Sequence, residues 1–127
     1  IASCLLQKAD LYALDEPSAF LDVEDRIAVA KFLQKFVRSF GKSAIIIDHD
    51  LQLMDLVSDS MVIFEGTSSV AGVATSPMPK NDAMNRFLES LDISFRRDVK
   101  TSRHRVNKEA SRLDKEQKST GNYYFRK

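Results

Sequence analysis

The chain has 127 residues, four glycines, a single cysteine and a formal net charge of +1. This composition is typical of one small globular domain, excludes an internal disulfide framework, and includes no apolar run of the ~18 residues that a membrane-spanning helix needs. The charge is unevenly distributed. Residues 1–91 carry 8 Lys/Arg and 13 Asp/Glu, whereas residues 92–127 carry 11 and 5. A basic segment that follows an acidic body predicts a polyanionic partner or docking against an acidic domain.

The first elements are short apolar runs followed by one long amphipathic pattern. Residues 1–8 predict the end of an apolar helix, and residues 11–14 predict a buried strand. Asp22, with Asp25 three positions later, predicts the N-cap of a helix. The apolar side chains of that helix recur at i, i+3, i+4 and i+7, and Gly41 marks its end.

The later elements follow in the order strand, helix, strand. Residues 44–47 are apolar and β-branched, which predicts an interior parallel strand, and a short helix is expected over 51–57. Residues 61–64 predict a third strand, residues 70–74 a further short one, and residues 83–91 a helix. Beyond that helix the sequence has little periodicity. This order predicts an α/β fold, with a parallel sheet, right-handed crossovers and flanking helices.

Two adjacent carboxylates, Asp15 and Glu16, follow the first strand and precede Pro17. Neighbouring side chains of a strand point to opposite faces, so the two carboxylates can have different roles. Asp15 suits a hydrated Mg²⁺, and Glu16 suits the orientation and deprotonation of a water that attacks phosphorus. An exposed acidic turn would give the same two residues, so the interpretation depends on their neighbours.

Those neighbours are the segment 18–22 and His49, which follows the next strand. Their combination resembles the ABC ATPase family of P-loop NTPases, in which residues 11–16 would be the Walker B strand and residues 18–22 the D-loop. The resemblance implies that Asp15 holds Mg²⁺ through water, that Glu16 is the catalytic base, and that His49 contacts the γ-phosphate of ATP. It also implies that two D-loop residues act across a dimer interface near the nucleotide. These two are Ser18 and Asp22.

A closer resemblance covers nearly the whole chain. Residues 15–24, which include an inserted aromatic at Phe20, and residues 62–66, 93–98 and 121–125 are similar to the second nucleotide-binding domain of the ABC-E family of ribosome-recycling ATPases. The resemblance implies a cytoplasmic protein that binds ATP and Mg²⁺ and splits ribosomes. Its partners would be the other nucleotide-binding domain, ribosomal subunits and ribosomal RNA, with no membrane. Iron–sulfur clusters would belong to an N-terminal region that this chain lacks.

The sequence contains neither the glycine-rich phosphate loop nor the signature motif of that family. We therefore predict that residues 1–91 are the C-terminal part of an ABC nucleotide-binding domain, that residues 92–127 are a basic hinge and C-terminal segment, and that the isolated chain is inactive. Two alternatives remain open at this point. One is that the chain belongs to a transporter's nucleotide-binding subunit, and the other is that it is a catalytically inactive, partner-binding fragment.

The basic segment has three interpretations. It packs between domains, it contacts RNA, or it is a free tail. RNA contact would use Arg96, Arg97 and the basic residues of 100–118 on phosphates, with stacking of bases on aromatic rings. The candidate rings are Tyr123, Tyr124 and Phe125.

Overall fold

The computed structural model describes residues 1–98 and 104–124, and the chain divides into two compact units, Ile1–Ser58 and Asp59–Lys127. The first unit contains α1 (Ala2–Leu5), β1 (Leu11–Asp15), α2 (Val23–Phe40), β2 (Ser43–Ile47) and α3 (Leu51–Val57). The second contains β3 (Ser60–Met61), β4 (Phe64–Thr67), β5 (Ala71–Ala74), β6 (Met78–Pro79), α4 (Lys80–Ser90), β7 (Phe95–Arg97), β8 (His104–Val106) and α5 (Arg112–Ser119). Across these described ranges, every helix is too short or too polar to span a bilayer.

The first unit has the predicted α/β arrangement. Strands β1 and β2 pair in parallel, in a register that runs from Leu11 opposite Ser43 to Asp15 opposite Ile47. Because the carboxyl ends of parallel strands lie at the same edge, the polar residues that follow each strand are brought together there. The predicted boundaries of α2 are confirmed, since Asp22 is the N-cap and Gly41 ends the helix in the left-handed region at φ 59°.

The core of this unit lies on one face of the two strands. Tyr12 and Leu14 of β1 are buried together with Leu33 of α2. The Tyr12 ring meets Phe36 edge to face with centroids 5.5 Å apart, and its hydroxyl donates to the Gln7 carbonyl at 2.9 Å. The helix is therefore held to the strand by apolar burial and by an aromatic contact, while the polar end of Tyr12 is satisfied.

Removal of the Leu33 side chain is expected to destabilise the protein strongly. Leu33 is 1% exposed, so Leu33→Ala should lower the free energy of unfolding by about 2–5 kcal/mol, from lost burial and the cavity that remains. Denaturant unfolding measures this change, and Lys35→Ala on the exposed side of the same helix is the control. Equal stability of the two variants would contradict the position of the core.

The prediction that residues 44–47 form an interior strand is wrong in one respect. Only alternate residues of β2 pack on the core, and Ile45 and Ile47 are 55% and 60% exposed. Leu11 of β1 is likewise 54% exposed. Within the described residues, β2 is hydrogen-bonded to β1 alone, and the core covers one face of the pair.

The prediction of one parallel third strand over residues 61–64 is also wrong. This stretch is divided between β3 and β4, which pair antiparallel with β6 and β5 respectively. The division occurs at Ile63, whose amide donates to Thr75 Oγ1 at 3.0 Å and whose carbonyl accepts from the Thr75 amide at 2.9 Å. A short β4–β5 hairpin follows, where the predicted strand at 70–74 is found as β5.

Beyond residue 91, the described residues 92–98 and 104–124 form regular elements, although the sequence there shows little periodicity. Strands β7 and β8 pair antiparallel, α5 follows, and Tyr124 returns beside Phe95 as an isolated parallel bridge. Apart from Tyr124, the side chains that are buried among the described residues of this segment are polar. The buried polar residues are Ser94, Asn107, Asp114 and Gln117.

These four side chains form one hydrogen-bonded network. Ser94 Oγ donates to Asp114 Oδ1 at 2.5 Å, and Asn107 Nδ2 donates to Ser94 Oγ at 2.9 Å and also to Gln117 Oε1. Gln117 Nε2 in turn donates to the Phe95 carbonyl at 2.9 Å. The pKa of Asp114 lies below its ordinary value, mainly because Ser94 donates a hydrogen bond to the carboxylate. Burial acts in the opposite direction and raises the pKa. The network thus ties α5 to the β7–β8 hairpin.

Candidate active site

The two predicted catalytic side chains meet at the carboxyl edge of the parallel strands. Glu16 directly follows β1, and its amide donates to the Ile47 carbonyl at 2.7 Å. Its φ of 42° lies in the left-handed region, which a non-glycine residue rarely adopts and which is frequent at functional sites. His49 follows β2, and its Nδ1 lies 3.5 Å from Glu16 Oε1. Both side chains are more than half exposed, so they are open to a ligand.

Asp15 is the last residue of β1, and it is exposed beside the same edge. Among residues 1–98 and 104–124, no group of three or more His, Cys, Asp or Glu side chains could hold a metal ion. Mg²⁺, however, is usually bound by one or two carboxylates together with waters and substrate phosphates. The exposed carboxylate of Asp15 fits that mode of binding, in which waters and phosphates supply the remaining ligands.

Residues 18–22, which are predicted to be the D-loop, form a tight loop that we call the D-loop segment. Ser18 is 1% exposed, and its hydroxyl donates to Asp48 Oδ1 at 2.8 Å while its amide donates to Asp48 Oδ2 at 3.1 Å. Phe20 has the opposite environment. Its side chain is fully exposed, and its φ is 63°. The predicted insertion therefore places an aromatic ring in solvent at the tip of the loop.

Asp22 closes the D-loop segment. Its Oδ1 accepts hydrogen bonds from the amides of Glu24 and Asp25, both at 2.9 Å, so the carboxylate caps α2. This confirms the predicted N-cap and fixes the place at which the loop joins the helix. The role of Asp22 at a dimer interface stays a prediction.

A second link joins the D-loop segment to the loop after β2. Arg26 Nε donates to the Leu21 carbonyl at 2.9 Å, and Arg26 Nη1 lies 2.7 Å from Asp50 Oδ2. Asp50 also caps α3 through the amides of Gln52 and Leu53. Burial acts to raise the pKa of Asp50, but the hydrogen bonds from Arg26 and from the two amides outweigh it, so its pKa lies below the ordinary value.

The contribution of Asp50 to stability should depend on pH with a defined sign. Its pKa is lower in the folded state, so its contribution is complete above its unfolded pKa of about 3.9 and is lost as the pH falls through the folded value. We expect wild type to be more stable than Asp50→Asn at neutral pH, and the difference to shrink below about pH 4. Urea unfolding of both proteins at several pH values tests this, and a difference that grew on acidification would contradict it.

The structure brings three of the five predicted site residues into one connected group. Glu16 and His49 face each other, and Ser18 joins the loop of His49 through Asp48. Asp15 lies at the same strand end, and Asp22 lies at the far end of the D-loop segment. Sequence reasoning assigned no role to two side chains that hold this group together. The two are Asp48 and Arg26. The position of Asp48, between the strand and His49, could have indicated its role. No local sequence pattern indicates the role of Arg26.

No family model matches the chain. Curated relatives do match over nearly its whole length. It is 46% identical over 98% of its residues to an uncharacterized ABC transporter ATP-binding protein of Methanocaldococcus jannaschii, and 42% identical over 98% to the translation initiation factor rli1 of Schizosaccharomyces pombe. In each case the chain spans 21% of the relative.

Solved structures agree with these relatives. The archaeal ribosome recycling factor aABCE1, in complex with the ribosomal stalk protein aP1, is 48% identical, with a TM-score of 0.88 over 95% of this chain and 23% of that one. The chain belongs to the ABC-E family. Archaeal ABCE1 in a model of its ribosome-bound complex with Pelota is similar too, at 47% identity and a TM-score of 0.91 over 96% of this chain and 21% of that one. This ABC-E chain therefore has the partial P-loop NTPase fold that its motifs predicted, and it spans about a fifth of its relatives' length.

Proposed function

We propose that this chain contributes the C-terminal part of the second nucleotide-binding domain to an ATPase that splits and recycles ribosomes. The observation that carries the proposal is the approach of His49 to Glu16 at 3.5 Å, at the end of two parallel strands, in a chain of the ABC-E family. An exposed carboxylate beside an imidazole at a strand edge suits the activation of a water next to a terminal phosphate.

The proposed roles come from the resemblance to ABC ATPases, and the positions of the side chains support them. Asp15 would hold Mg²⁺ through water, and Mg²⁺ bound there would neutralise developing charge on the phosphates of ATP. Glu16 orients the attacking water and accepts its proton, and His49 donates a hydrogen bond to the γ-phosphate. Ser18 and Asp22 belong to the segment that we propose lies across the interface with the other nucleotide-binding domain, next to its nucleotide.

The groups that cradle the phosphates are outside this sequence, so the isolated 127 residues should not hydrolyse ATP. The test is a magnesium-dependent ATPase assay of the purified chain beside the complete ATPase. Clear turnover by the chain alone would contradict this assignment and would show that the phosphate loop is dispensable. The iron–sulfur clusters of the family are likewise proposed to belong to its N-terminal region only.

The proposed partners are ribosomal subunits and the other nucleotide-binding domain of the same protein, in the cytoplasm and without a membrane. The support is that relatives include an archaeal ribosome recycling factor crystallised with a ribosomal stalk protein and a ribosome-bound ABCE1. We expect the complete protein to sediment with ribosomal subunits when a non-hydrolysable ATP analogue is present. Co-purification with a permease, and no sedimentation with ribosomes, would favour a transporter subunit.

We further propose a boundary after residue 91, with residues 92–127 acting as a hinge that packs between domains. Base stacking suits Tyr124 poorly, since this residue is 4% exposed within its own unit and its hydroxyl lies 3.1 Å from His104 Nε2. Arg96 remains exposed and suits a contact with RNA phosphate. Three residues of the RNA-binding interpretation lie outside the described ones. These are Lys100, Arg103 and Phe125.

A further inference from the structure

Asp48 joins the loop after β1 to the loop after β2. Its Oδ1 accepts hydrogen bonds from Ser18 Oγ and from the Asp50 amide, both at 2.8 Å, and its Oδ2 accepts one from the Ser18 amide at 3.1 Å. Three donors converge on one carboxylate, and both of its oxygens are used. Hydrogen bonds to an ionised acceptor are about twice as strong as neutral ones, so this contact holds both loops firmly.

The position of Asp48 gives this contact a functional meaning. Asp48 immediately precedes His49, and its partner Ser18 lies two residues after Glu16. The carboxylate therefore connects the two short segments that carry the base and the histidine. Ser18 is 1% exposed, so its hydroxyl has little access to water as a replacement partner.

A parallel link reinforces the same connection at the other end of the D-loop segment. Arg26 donates to the Leu21 carbonyl and to the Asp50 carboxylate. The segment is thus tied to residues 48–50 near its beginning and near its end. A displacement of the D-loop segment would be transmitted to the backbone on both sides of His49.

We propose that Asp48 is a positioning residue for ATP hydrolysis. By binding Ser18 and the Asp50 amide together, it fixes His49 opposite Glu16 and transmits movement of the D-loop segment to His49. The inference rests on the proposed function and deepens it. Asp48 is assigned no contact with a reacting atom in this scheme, and it acts through the three protein donors that it binds.

The test is Asp48→Asn in the complete ATPase. Asparagine has one acceptor oxygen and an amide group that donates, so it cannot accept from all three donors. We expect kcat to fall about 10- to 100-fold, because a small misplacement near the reacting atoms has an effect of that size. The KM for ATP should change less than about threefold, since the lost interaction serves the transition state and not ground-state binding. Asp48→Glu, which keeps the carboxylate, should recover part of the loss.

The matched control is Asp10→Asn, which removes an exposed carboxylate of the same unit that is paired with Lys42 at 2.7 Å. It should hydrolyse ATP at the wild-type rate. A double variant separates positioning from a general loss of stability. If Asp48 acts through His49, Asp48→Asn combined with His49→Ala should be no slower than His49→Ala alone.

Two outcomes would overturn the inference while leaving the proposed function intact. One is normal kcat in Asp48→Asn. The other is a double variant whose kcat is lowered by the product of the factors measured for the two single variants. If the complete wild-type protein did not hydrolyse ATP, the proposed function and the inference would both be overturned.

Discussion

Replacement of Glu16 by Gln should nearly stop ATP turnover in the complete protein while it preserves nucleotide binding. Gln keeps the size of the side chain but cannot accept a proton from the attacking water. General bases contribute about 10²- to 10⁴-fold to rates, so a loss of kcat in that range is expected, with little change in affinity for ATP. Single-turnover hydrolysis at this site, beside equilibrium binding of ATP, measures the two effects separately.

Glu24→Gln is the matched control, because Glu24 is an exposed glutamate in the first turn of α2. It should behave as wild type in both assays. Hydrolysis that continued undiminished in Glu16→Gln would remove Glu16 from the role of base. Loss of ATP binding in the same variant would instead indicate that Glu16 contributes to the binding of ATP before the reaction.

Replacement of Asp114 by Asn should open the C-terminal segment without affecting the first unit. The Asp114 carboxylate accepts from Ser94 Oγ and from the Ala110 amide at 3.0 Å, and it is 4% exposed. Asn has one acceptor oxygen, so either the buried Ser94 hydroxyl or the Ala110 amide would lose its acceptor, and a buried donor left without a partner costs about 1–3 kcal/mol. Hydrogen exchange of peptides that cover 104–124 should become about tenfold faster or more.

Glu116→Gln on the exposed side of α5 is the control, and its exchange should match wild type. Peptides from the first unit should exchange at the wild-type rate in both variants. Unchanged exchange over 104–124 in Asp114→Asn would show that the network does not hold this segment. Faster exchange along the whole chain would show that the effect is not local.

The elements that the sequence predicts well are those whose signals are local. The cap at Asp22, the stop at Gly41 and the helix over 51–57 each depend on a few neighbouring residues, and all three are confirmed. The third strand was predicted wrongly because its division depends on Thr75, twelve positions after Ile63. Such a long-range hydrogen bond leaves no trace in the apolar pattern of residues 61–64.

The C-terminal segment was missed for a different reason. Methods based on periodicity detect helices by their apolar face, but α5 buries Asp114 and Gln117, which are polar. The candidate site likewise contains residues that local sequence signals indicate and residues that they do not. Asp15, Glu16 and His49 could be predicted from their residue types and their order along the chain, and their catalytic roles stay predictions. Arg26 was not found, because its role exists only once residues 24 positions apart are in contact.

The long sequence separation within the Asp48–Ser18 contact has a consequence for the order of folding. The contact joins residues 30 positions apart, whereas the β4–β5 hairpin pairs Phe64 with Ala74. Hairpins form in about 1–10 μs, but a contact that closes a longer loop loses more chain entropy before it is made. We expect the strand edge that carries Glu16 and His49 to assemble after the hairpin. The candidate site would therefore be among the later parts of the chain to form.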